Sequence, residues 1–356
     1  MLNSHSLAAY SAPERGKDNN FNLLRMIAAM AVLFGHCYAL LRLPEPLGAT
    51  LRISLGSIAV DIFFVSSGFL VGASLLQRQS IVDYLVARTL RIFPALWVML
   101  ILVVFALGAI ISQHPDYLHD PRIFHHWWKS ATLMTGIDFY LPGVFEKNPY
   151  PGVVNGSLWS MVYEISMYVI LLLSFLCFLS FKKIMQTTFS VIAAMIFAAG
   201  LCYLISDYHL FVTSQFTHLA WMFSCGTLCY VLRDFIPLRP WIAILGVLLG
   251  ALVLQLGQNS FLWFYCVLLP YLVFCFAYLP KSGLRYYNRL GDYSYGVYIY
   301  AFPIQQTLLF FAPSLSPQTL FAVAASLTLL CAVVSWHCVE KPIMGLRPRI
   351  VQLLKR

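Results

Sequence analysis

The segment NNFNLLRMIAAMAVLFGHCYAL, residues 19–40, indicates the fold class. It holds an apolar run of about 20 residues, the length that crosses a bilayer core, and only Arg25 and His36 interrupt it. The whole chain has the same character, because 60% of its 356 residues are apolar and 10% are charged. A typical soluble domain carries roughly 25% charged residues. A soluble enzyme, a disordered chain and a secreted disulfide scaffold are therefore excluded, and we expect a multi-pass membrane protein.

Ten apolar blocks predict an all-α, polytopic transmembrane helix bundle. Only one connection is long, residues 113–156, and no polar run is large enough for an attached soluble domain. We therefore expect a cytoplasmic tail over 1–21, a transmembrane domain over 22–340 and a basic cytoplasmic tail over 341–356. The predicted spans are 22–42, 52–76, 92–112, 157–181, 187–206, 216–233, 241–256, 261–279, 293–312 and 318–339.

The basic residues predict the orientation of these spans. If the N-terminus is cytoplasmic, 18 of the 23 Lys and Arg residues fall on the cytoplasmic side and five fall outside. This positive-inside bias favours two cytoplasmic termini, an even number of spans and an extracytoplasmic loop 113–156. The net charge of +9 is thus explained by basic residues that orient the spans in the membrane. We expect a lipid bilayer and no nucleic acid as a partner. Because residues 1–20 are polar, we expect no cleavable signal peptide.

Four conspicuous ionisable residues fall inside predicted spans, where such groups are costly and each needs a reason. Arg25 and His36 are eleven residues apart, which places them on one helix face with a rise of about 16 Å. Asp61 and Glu164 lie roughly 10–13 Å below the predicted outer boundary, close to the depth of His36. If their helices are neighbours, these groups can form a proton-handling cluster. The alternative is local pairing that only fixes helix packing.

The alternatives differ from residue to residue. Asp61 has hydroxyl partners nearby in its own span, at Ser57, Ser66 and Ser67. Arg88 and Arg91 open the third predicted span at the cytoplasmic boundary, and their i,i+3 spacing places both guanidinium groups on one side. They suit either phosphate binding or membrane anchoring.

Other conspicuous residues predict packing. Gly68 and Gly72 have the small-xxx-small spacing of close helix contacts. The pair His125-His126 precedes two tryptophans, which favours an interfacial aromatic anchor, and no metal site is predicted. The nine cysteines form no CxxC motif and read as small apolar residues. We draw nothing from the isolated residues His209, His218 and His337.

The same strings resemble the acyltransferase 3 family of bacterial membrane acyltransferases. Residues 19–40 are similar to its Arg-x10-His first span, and GSIAVDIFFVSSGFLVGASLL, 56–76, resembles G-V-D-x-F-F-V-x-S-G-F-L. YLVARTLRIFPALW, 84–97, resembles R-x-x-R-I-x-P, and NGSLWSMVYEISMYVILL, 155–172, resembles N-G-x-L-W-S-L-x-x-E. GDYSYGVYIYAFPIQQ and VEKP resemble the SYxxY and E-[RK]-P elements. The resemblance covers nearly the whole chain in the family's order.

The sequence departs from the family pattern at one position. YIYAFP, 298–303, replaces the frequent Y-L-W-H-x-P, so that Ala301 stands where many members have histidine. No second family histidine can therefore be assigned to catalysis here. The departure leaves His36 untouched and favours a subgroup acting on exopolysaccharides.

The resemblance implies transfer of an acyl group, often acetyl from acyl-CoA, to a hydroxyl of an envelope carbohydrate at the bacterial inner membrane. It implies that His36 is catalytic with Arg25 supporting it, and that Arg88 and Arg91 handle the cytoplasmic donor. Residues 22–340 would then be the acyltransferase domain, with loop 113–156 helping to bind the sugar. His36 can act as general base or carry the acyl group transiently.

Asp61 or Glu164 can orient the imidazole of His36 by the logic of a catalytic triad. The competing class is a transporter or flippase for an envelope lipid or oligosaccharide, whose path the intramembrane charges would line. A glycan polymerase or ligase is a third possibility, and it would change chain length without removing ester groups.

Overall fold

The computed structural model describes residues 5–12, 18–51, 53–180 and 215–355, and this part of the chain is helical without β-strands. Its main helices are α1 (Phe21–Leu40), α2 (Leu55–Arg78), α3 (Ile81–Ile111), α4 (Pro121–Thr132), α5 (Trp159–Ser180), α6 (Gln215–Val231), α7 (Pro240–Leu256), α8 (Gln258–Tyr278), α9 (Ser294–Phe311) and α10 (Pro317–Leu354). Short helical turns cover Leu7–Tyr10, Pro46–Leu51, Tyr117–His119, Gly156–Leu158 and Ser282–Arg289.

Six helices of the described residues are long and apolar enough to cross a membrane: Phe21–Leu40, Leu55–Arg78, Ile81–Ile111, Gly156–Leu176, Gln258–Tyr278 and Pro317–Leu354. The apolar helix α7 is shorter, and α6 and α9 occupy two further predicted spans. The predicted span 187–206 lies outside the described residues. An all-helical membrane protein is therefore confirmed, whereas ten spans and their orientation stay a prediction.

The predicted start of the third span is wrong by about three turns. Helix α3 begins at Ile81, where the Ser80 hydroxyl accepts a hydrogen bond from the Asp83 backbone N–H at 3.3 Å. Serine is a preferred N-cap, and the acidic side chain in the first turn complements the helix dipole. Arg88 and Arg91 therefore lie within α3 and do not open it.

The chain forms two compact units. Unit 1 comprises residues 1–25, 60–79 and 166–290, and unit 2 comprises residues 26–59, 80–165 and 291–356. The boundaries fall within α1, α2 and α5. Each unit has a packed interior of its own.

In unit 1, α2 and α6 approach to backbone contact through two glycines. A Cβ atom on Gly68 would lie 2.0 Å from the Phe223 carbonyl oxygen, and one on Gly226 would lie 2.1 Å from the Val65 carbonyl oxygen. Thr227 donates a hydrogen bond of 3.0 Å from Oγ1 to the carbonyl of Gly68. Close packing at Gly68, predicted from the small-xxx-small spacing, is confirmed.

Helix α8 of unit 1 contains a proline whose effect on the backbone is compensated by a neighbour. Pro270 has no N–H, so the carbonyl of Cys266 four residues earlier loses its usual helical donor. The indole Nε1 of Trp221, on α6, donates to that carbonyl at 3.4 Å. Neighbouring side chains commonly satisfy carbonyls freed in this way in membrane helices.

In unit 2, α9 and α10 pack tightly against one another. A Cβ atom on Gly296 would lie 2.8 Å from the Cα of Ala332, so only glycine permits this approach. The apolar interior around α9 also includes Leu33 and Cys37 from α1. Gln305 joins the same helices, because its Nε2 donates to the Leu33 carbonyl at 2.9 Å. Unit 2 therefore places His36, the residue before Cys37, beside α9.

Candidate active site

His36 presents an unpaired ring nitrogen inside unit 2. Its Nδ1 is buried and has no hydrogen-bond partner among the described residues. The imidazole packs edge-to-face against Phe302 of α9, with ring centroids 5.1 Å apart. Buried polar atoms normally have a partner, because desolvation without a hydrogen bond is unfavourable. An unsatisfied imidazole nitrogen is therefore a candidate for binding a ligand hydroxyl.

The loop before α5 also lies against Phe302. A Cβ atom on Gly156 would lie 2.6 Å from Cε2 of the Phe302 ring, closer than real side chains allow. The absence of a side chain at Gly156 thus lets the loop lie against the ring that contacts His36. Asn155, one residue earlier, donates from Nδ2 to the Ile299 carbonyl of α9 at 2.9 Å.

Three hydroxyl-bearing residues continue this site toward α5. The Tyr298 hydroxyl donates to the Ser157 carbonyl at 2.7 Å, and it lies 2.6 Å from the Ser160 hydroxyl. Since the single phenolic hydrogen points at the carbonyl, Ser160 is the donor in the second contact. Glu164, one turn after Ser160, interacts electrostatically with Tyr298 and Tyr295. Glu164 therefore belongs to the same polar region of unit 2 as the loop 155–158.

Arg91 lies at the centre of an ion-pair cluster in unit 2. Its guanidinium contacts the Asp292 carboxylate at 2.5 Å and the Glu340 carboxylate at 3.2 Å. The Arg91 guanidinium carbon also lies 5.6 Å from the Tyr295 ring centre and 5.9 Å from the Trp336 ring centre. The cluster unites the R-x-x-R, GDYSY and VEKP strings, and it gives Arg91 a structural role.

Arg88 lies about one turn before Arg91 on α3 and is half-buried. It interacts electrostatically with the Tyr84 hydroxyl, four residues earlier on the same helix. The two arginines thus have different surroundings although they share one motif. Equivalent roles for the pair do not follow from their spacing.

Asp61 and Arg25 belong to unit 1, whereas His36 and Glu164 belong to unit 2. Asp61 is 1% exposed and accepts two hydrogen bonds, from His218 Nε2 at 2.8 Å and from the Tyr265 hydroxyl at 2.7 Å.

The nearby serine Ser66 bonds elsewhere, because its hydroxyl donates to the Phe63 carbonyl at 3.0 Å. The Arg25 guanidinium carbon lies 5.7 Å from the centre of the Phe63 ring. Within unit 1, therefore, Arg25 and Asp61 have surroundings built from α2, α6 and α8.

His218 and Tyr265 were missed by the sequence analysis. The signal for His218 was present, because it too is an ionisable residue inside an apolar block. Its partner could not be named, because Asp61 and His218 are 157 residues apart in the chain. Asn155 and Gly156 stood inside a quoted motif, but nothing in the sequence pointed to Ile299 or Phe302 as their contacts.

The long loop is folded onto unit 2 and carries its own polar network. Asn148 donates from Nδ2 to the carbonyl and to the Oε1 of Gln306, both at 2.8 Å. Gln306 in turn donates to the Tyr150 and Val153 carbonyls at 2.9 and 2.7 Å. The loop therefore has defined contacts with α9, the helix that also carries Phe302.

The shifted pKa values of this loop include those of Asp120 and His126. Hydrogen bonds from Arg122 lower the pKa of Asp120 to about 2. Burial lowers the pKa of His126, although Asp138 opposes this effect. The Nδ1 of His126 lies 3.0 Å from the Tyr140 carbonyl oxygen. His126 thus contributes to loop packing, and no group of three potential metal ligands occurs among the described residues.

Comparison with known proteins identifies the family. A model described as an acyltransferase domain, that of the acyltransferase 3 family, matches residues 18–337. The O-acetyl transferase of Shigella phage Sf6 is 28% identical in an alignment of length 342 that covers 91% of this chain and 96% of that protein. Nodulation protein 10 of Rhizobium leguminosarum bv. viciae is 28% identical in an alignment of length 361 that covers 94% of this chain and 96% of that protein.

A shorter match concerns a larger protein. Peptidoglycan O-acetyltransferase OatA of Listeria monocytogenes is 30% identical over 142 residues, covering 36% of this chain and 21% of that protein. No solved structure matches the chain. The family match spans both units and most of the helices described above. The chain is therefore a membrane protein of the acyltransferase 3 family and an enzyme of acyl transfer.

Proposed function

We propose that the protein transfers an acetyl group from acetyl-CoA to a hydroxyl of a cell-envelope glycan in the bacterial inner membrane. The acceptor would be an envelope polysaccharide, an exopolysaccharide or a lipid-linked oligosaccharide. The names of two similar proteins, an O-acetyl transferase and a peptidoglycan O-acetyltransferase, support the acyl group and the acceptor class. The observation that carries the proposal is the buried Nδ1 of His36, which has no partner among the described residues.

In this proposal His36 acts as general base. Its Nδ1 accepts the hydrogen of the acceptor hydroxyl, and the oxygen attacks the thioester carbonyl carbon. A carbon–oxygen bond forms, the carbon–sulfur bond breaks, and the imidazolium returns the proton to the CoA thiolate. An imidazole is suited to both proton transfers near neutral pH.

The two carboxylates contribute unequally in this scheme. Glu164 is our candidate to stabilise the charged imidazole, because it interacts with Tyr298 in the polar region of unit 2 that also holds His36. The carboxylate of Asp61 already accepts hydrogen bonds from His218 and Tyr265. We propose that Asp61 acts by organising unit 1, and that Arg25 supports the first span below His36, about 16 Å away along α1.

The donor and acceptor would approach from opposite sides of the membrane. We propose ten spans with both termini in the cytoplasm, supported by 18 of 23 basic residues on that side. The phosphates of CoA would then meet Arg88, while Arg91 holds the surrounding helices through its ion pairs. The loop 113–156 would contact the glycan from outside.

The test compares His36→Ala with His5→Ala, an exposed histidine of unit 1 that serves as a matched control. Membranes containing each variant receive acetyl-CoA labelled in the acetyl group, and label in the extracted envelope glycan is measured. We expect His36→Ala to lose transfer by 100-fold or more, on the order of the contribution of general base catalysis. His5→Ala should match the wild type. Full transfer by a folded His36→Ala variant would overturn the proposal.

The same assay separates the enzyme from a flippase. Release of free CoA thiol that requires the glycan acceptor indicates acyl transfer. A flippase would move its cargo without consuming acetyl-CoA. Mass spectrometry of envelope glycans, with and without the protein, would identify the ester and its position.

A further inference from the structure

A proline in α9 leaves one backbone carbonyl without a helical donor. Pro303 lies inside α9 and has no N–H, so the carbonyl four residues earlier loses its hydrogen bond. That carbonyl belongs to Ile299, and the Nδ2 of Asn155 donates to it at 2.9 Å. Asn155 is 5% exposed, so bulk water does not compete for this contact. The side chain of Asn155 therefore replaces the backbone donor that Pro303 lacks.

Both the Oδ1 and the Nδ2 atoms of Asn155 form hydrogen bonds. Its Oδ1 accepts a hydrogen bond of 3.1 Å from the Ser157 backbone N–H, which starts the turn leading into α5. Its Nδ2 donates to α9 as described above. One side chain thus ties the loop 155–158 to the part of α9 that precedes Pro303. An alanine has neither group, and an aspartate has no N–H to donate.

The tied segment carries the ring that contacts the proposed catalytic histidine. Phe302 lies between Ile299 and Pro303 in the chain, and its ring packs edge-to-face against His36 at 5.1 Å. Gly156 contacts the same ring, since any Cβ there would lie 2.6 Å from it. The position of Phe302 therefore depends on the backbone that Asn155 holds and on the space that Gly156 leaves.

We propose that Asn155 is a positioning residue for His36, acting through the Ile299 carbonyl and the Phe302 ring. This inference rests on the proposed catalytic function of His36. Asn155 contacts neither reacting group in this scheme. Its effect is to hold the imidazole ring of His36 in one orientation, so that Nδ1 points in the same direction throughout turnover.

The proline provides a direct test of the carbonyl contact. Asn155→Ala should lower kcat on the order of 100-fold, the cost of misplacing a reacting group by about 1 Å, with little change in the KM for acetyl-CoA. Adding Pro303→Ala should restore most of kcat, because alanine brings an N–H that can bond to Ile299. Pro270→Ala is the matched control. It supplies an N–H to Cys266 in unit 1 and should not rescue Asn155→Ala.

A second pair tests the ring contact independently. Gly156→Ala should lower kcat because its methyl group collides with Phe302. Phe302→Leu should itself lower kcat, because it removes the ring that packs against His36, and adding Gly156→Ala to it should cost little more, since the smaller side chain removes the collision. Wild-type kcat in Phe302→Leu, or two losses that add in full, would overturn the role of the ring.

Parallel measurement of His36→Ala distinguishes the possible failures. If His36→Ala is inactive while Asn155→Ala retains wild-type kcat, the positioning role is wrong and the proposed function stands. If Asn155→Ala is inactive and Pro303→Ala gives no rescue, the carbonyl mechanism is overturned. If His36→Ala remains active, the proposed function fails and the positioning role fails with it.

Folding is followed for every variant by size-exclusion chromatography in detergent. If Asn155→Ala does not accumulate as a monodisperse protein, its recovery is measured with and without Pro303→Ala. Recovery with Pro303→Ala and not with Pro270→Ala supports the carbonyl contact. If Pro303→Ala and Pro270→Ala increase the yield of monodisperse Asn155→Ala protein equally, the carbonyl contact is overturned. It is also overturned if neither substitution increases that yield.

Discussion

Replacing Arg91 with alanine separates a structural role from donor binding at the R-x-x-R motif. The side chain of Arg91 is 14% exposed, and the side chains of its partners Asp292 and Glu340 are 13% and 2% exposed. A hydroxyl donor to each carboxylate remains in the variant, Ser294 for Asp292 at 2.5 Å and Ser335 for Glu340 at 3.1 Å. Arg91→Ala therefore removes the positive charge at 2.5 and 3.2 Å from two largely buried carboxylates.

The expected loss follows from the burial of Glu340. Removing one partner of a buried ion pair typically costs about 3–5 kcal/mol, because the remaining charge is uncompensated. Neutralising the whole cluster should cost much less, since uncharged residues of similar size often replace a buried pair without loss. We therefore expect Arg91→Ala to unfold at a clearly lower temperature. Arg91→Met combined with Asp292→Asn and Glu340→Gln should recover most of that stability.

The assay heats detergent-solubilised protein and follows the monodisperse fraction by size-exclusion chromatography. Arg88→Ala is the matched control, because Arg88 lies one turn earlier on the same helix face. It should raise the KM for acetyl-CoA and leave the unfolding temperature nearly unchanged. If Arg91→Ala keeps the wild-type unfolding temperature and only raises this KM, the ion-pair account is refuted and Arg91 binds the donor.

Two further predictions concern packing and pH. Gly68→Ala should destabilise unit 1 by about 1–3 kcal/mol or more, because its methyl group meets the Phe223 carbonyl. The control is Gly283→Ala, whose methyl group meets no atom within 4 Å and which should be neutral in the same thermal assay. Burial lowers the pKa of His126 below that of an unfolded histidine, so that falling pH protonates the unfolded state first. The stability of the folded loop should therefore fall as the pH drops below about 6.5. Limited proteolysis between pH 7.5 and pH 5 should show this loss in the wild type. An equal pH dependence in His126→Gln would contradict it.

Much of the helical architecture was predictable from local sequence. Apolar blocks of about 20 residues predict spans because every backbone polar group must be satisfied inside a bilayer. Helices α1 and α2 follow their predicted spans closely. The start of α3 was missed, because polar residues such as Asp83 and Arg88 precede its apolar run. Hydropathy marks the apolar part of a helix and not the hydrogen-bonded turns before it.

The candidate site was predictable only in part. His36 stood out because an ionisable side chain in an apolar block is costly and so needs a function. The neighbouring hydroxyls, given as alternative partners of Asp61, are not the partners found in the structure. Asp61 bonds to His218, 157 residues away, and to Tyr265, 204 residues away. Such pairs depend on which helices pack together, and the periodicity of one helix contains no information about its neighbours.

The amino-acid order alone shows that this protein is a helical membrane protein, that charged groups interrupt its spans, and that its motifs match one acyltransferase family. These properties follow from composition, length and local order along the chain. The tertiary structure decided what those groups contact. It joined Arg91 to Asp292 and Glu340, 201 and 249 residues away, and it placed Asn155 on the carbonyl freed by Pro303. Burial requires a partner for each polar group, but only the packing of the helices determines which partner is within reach.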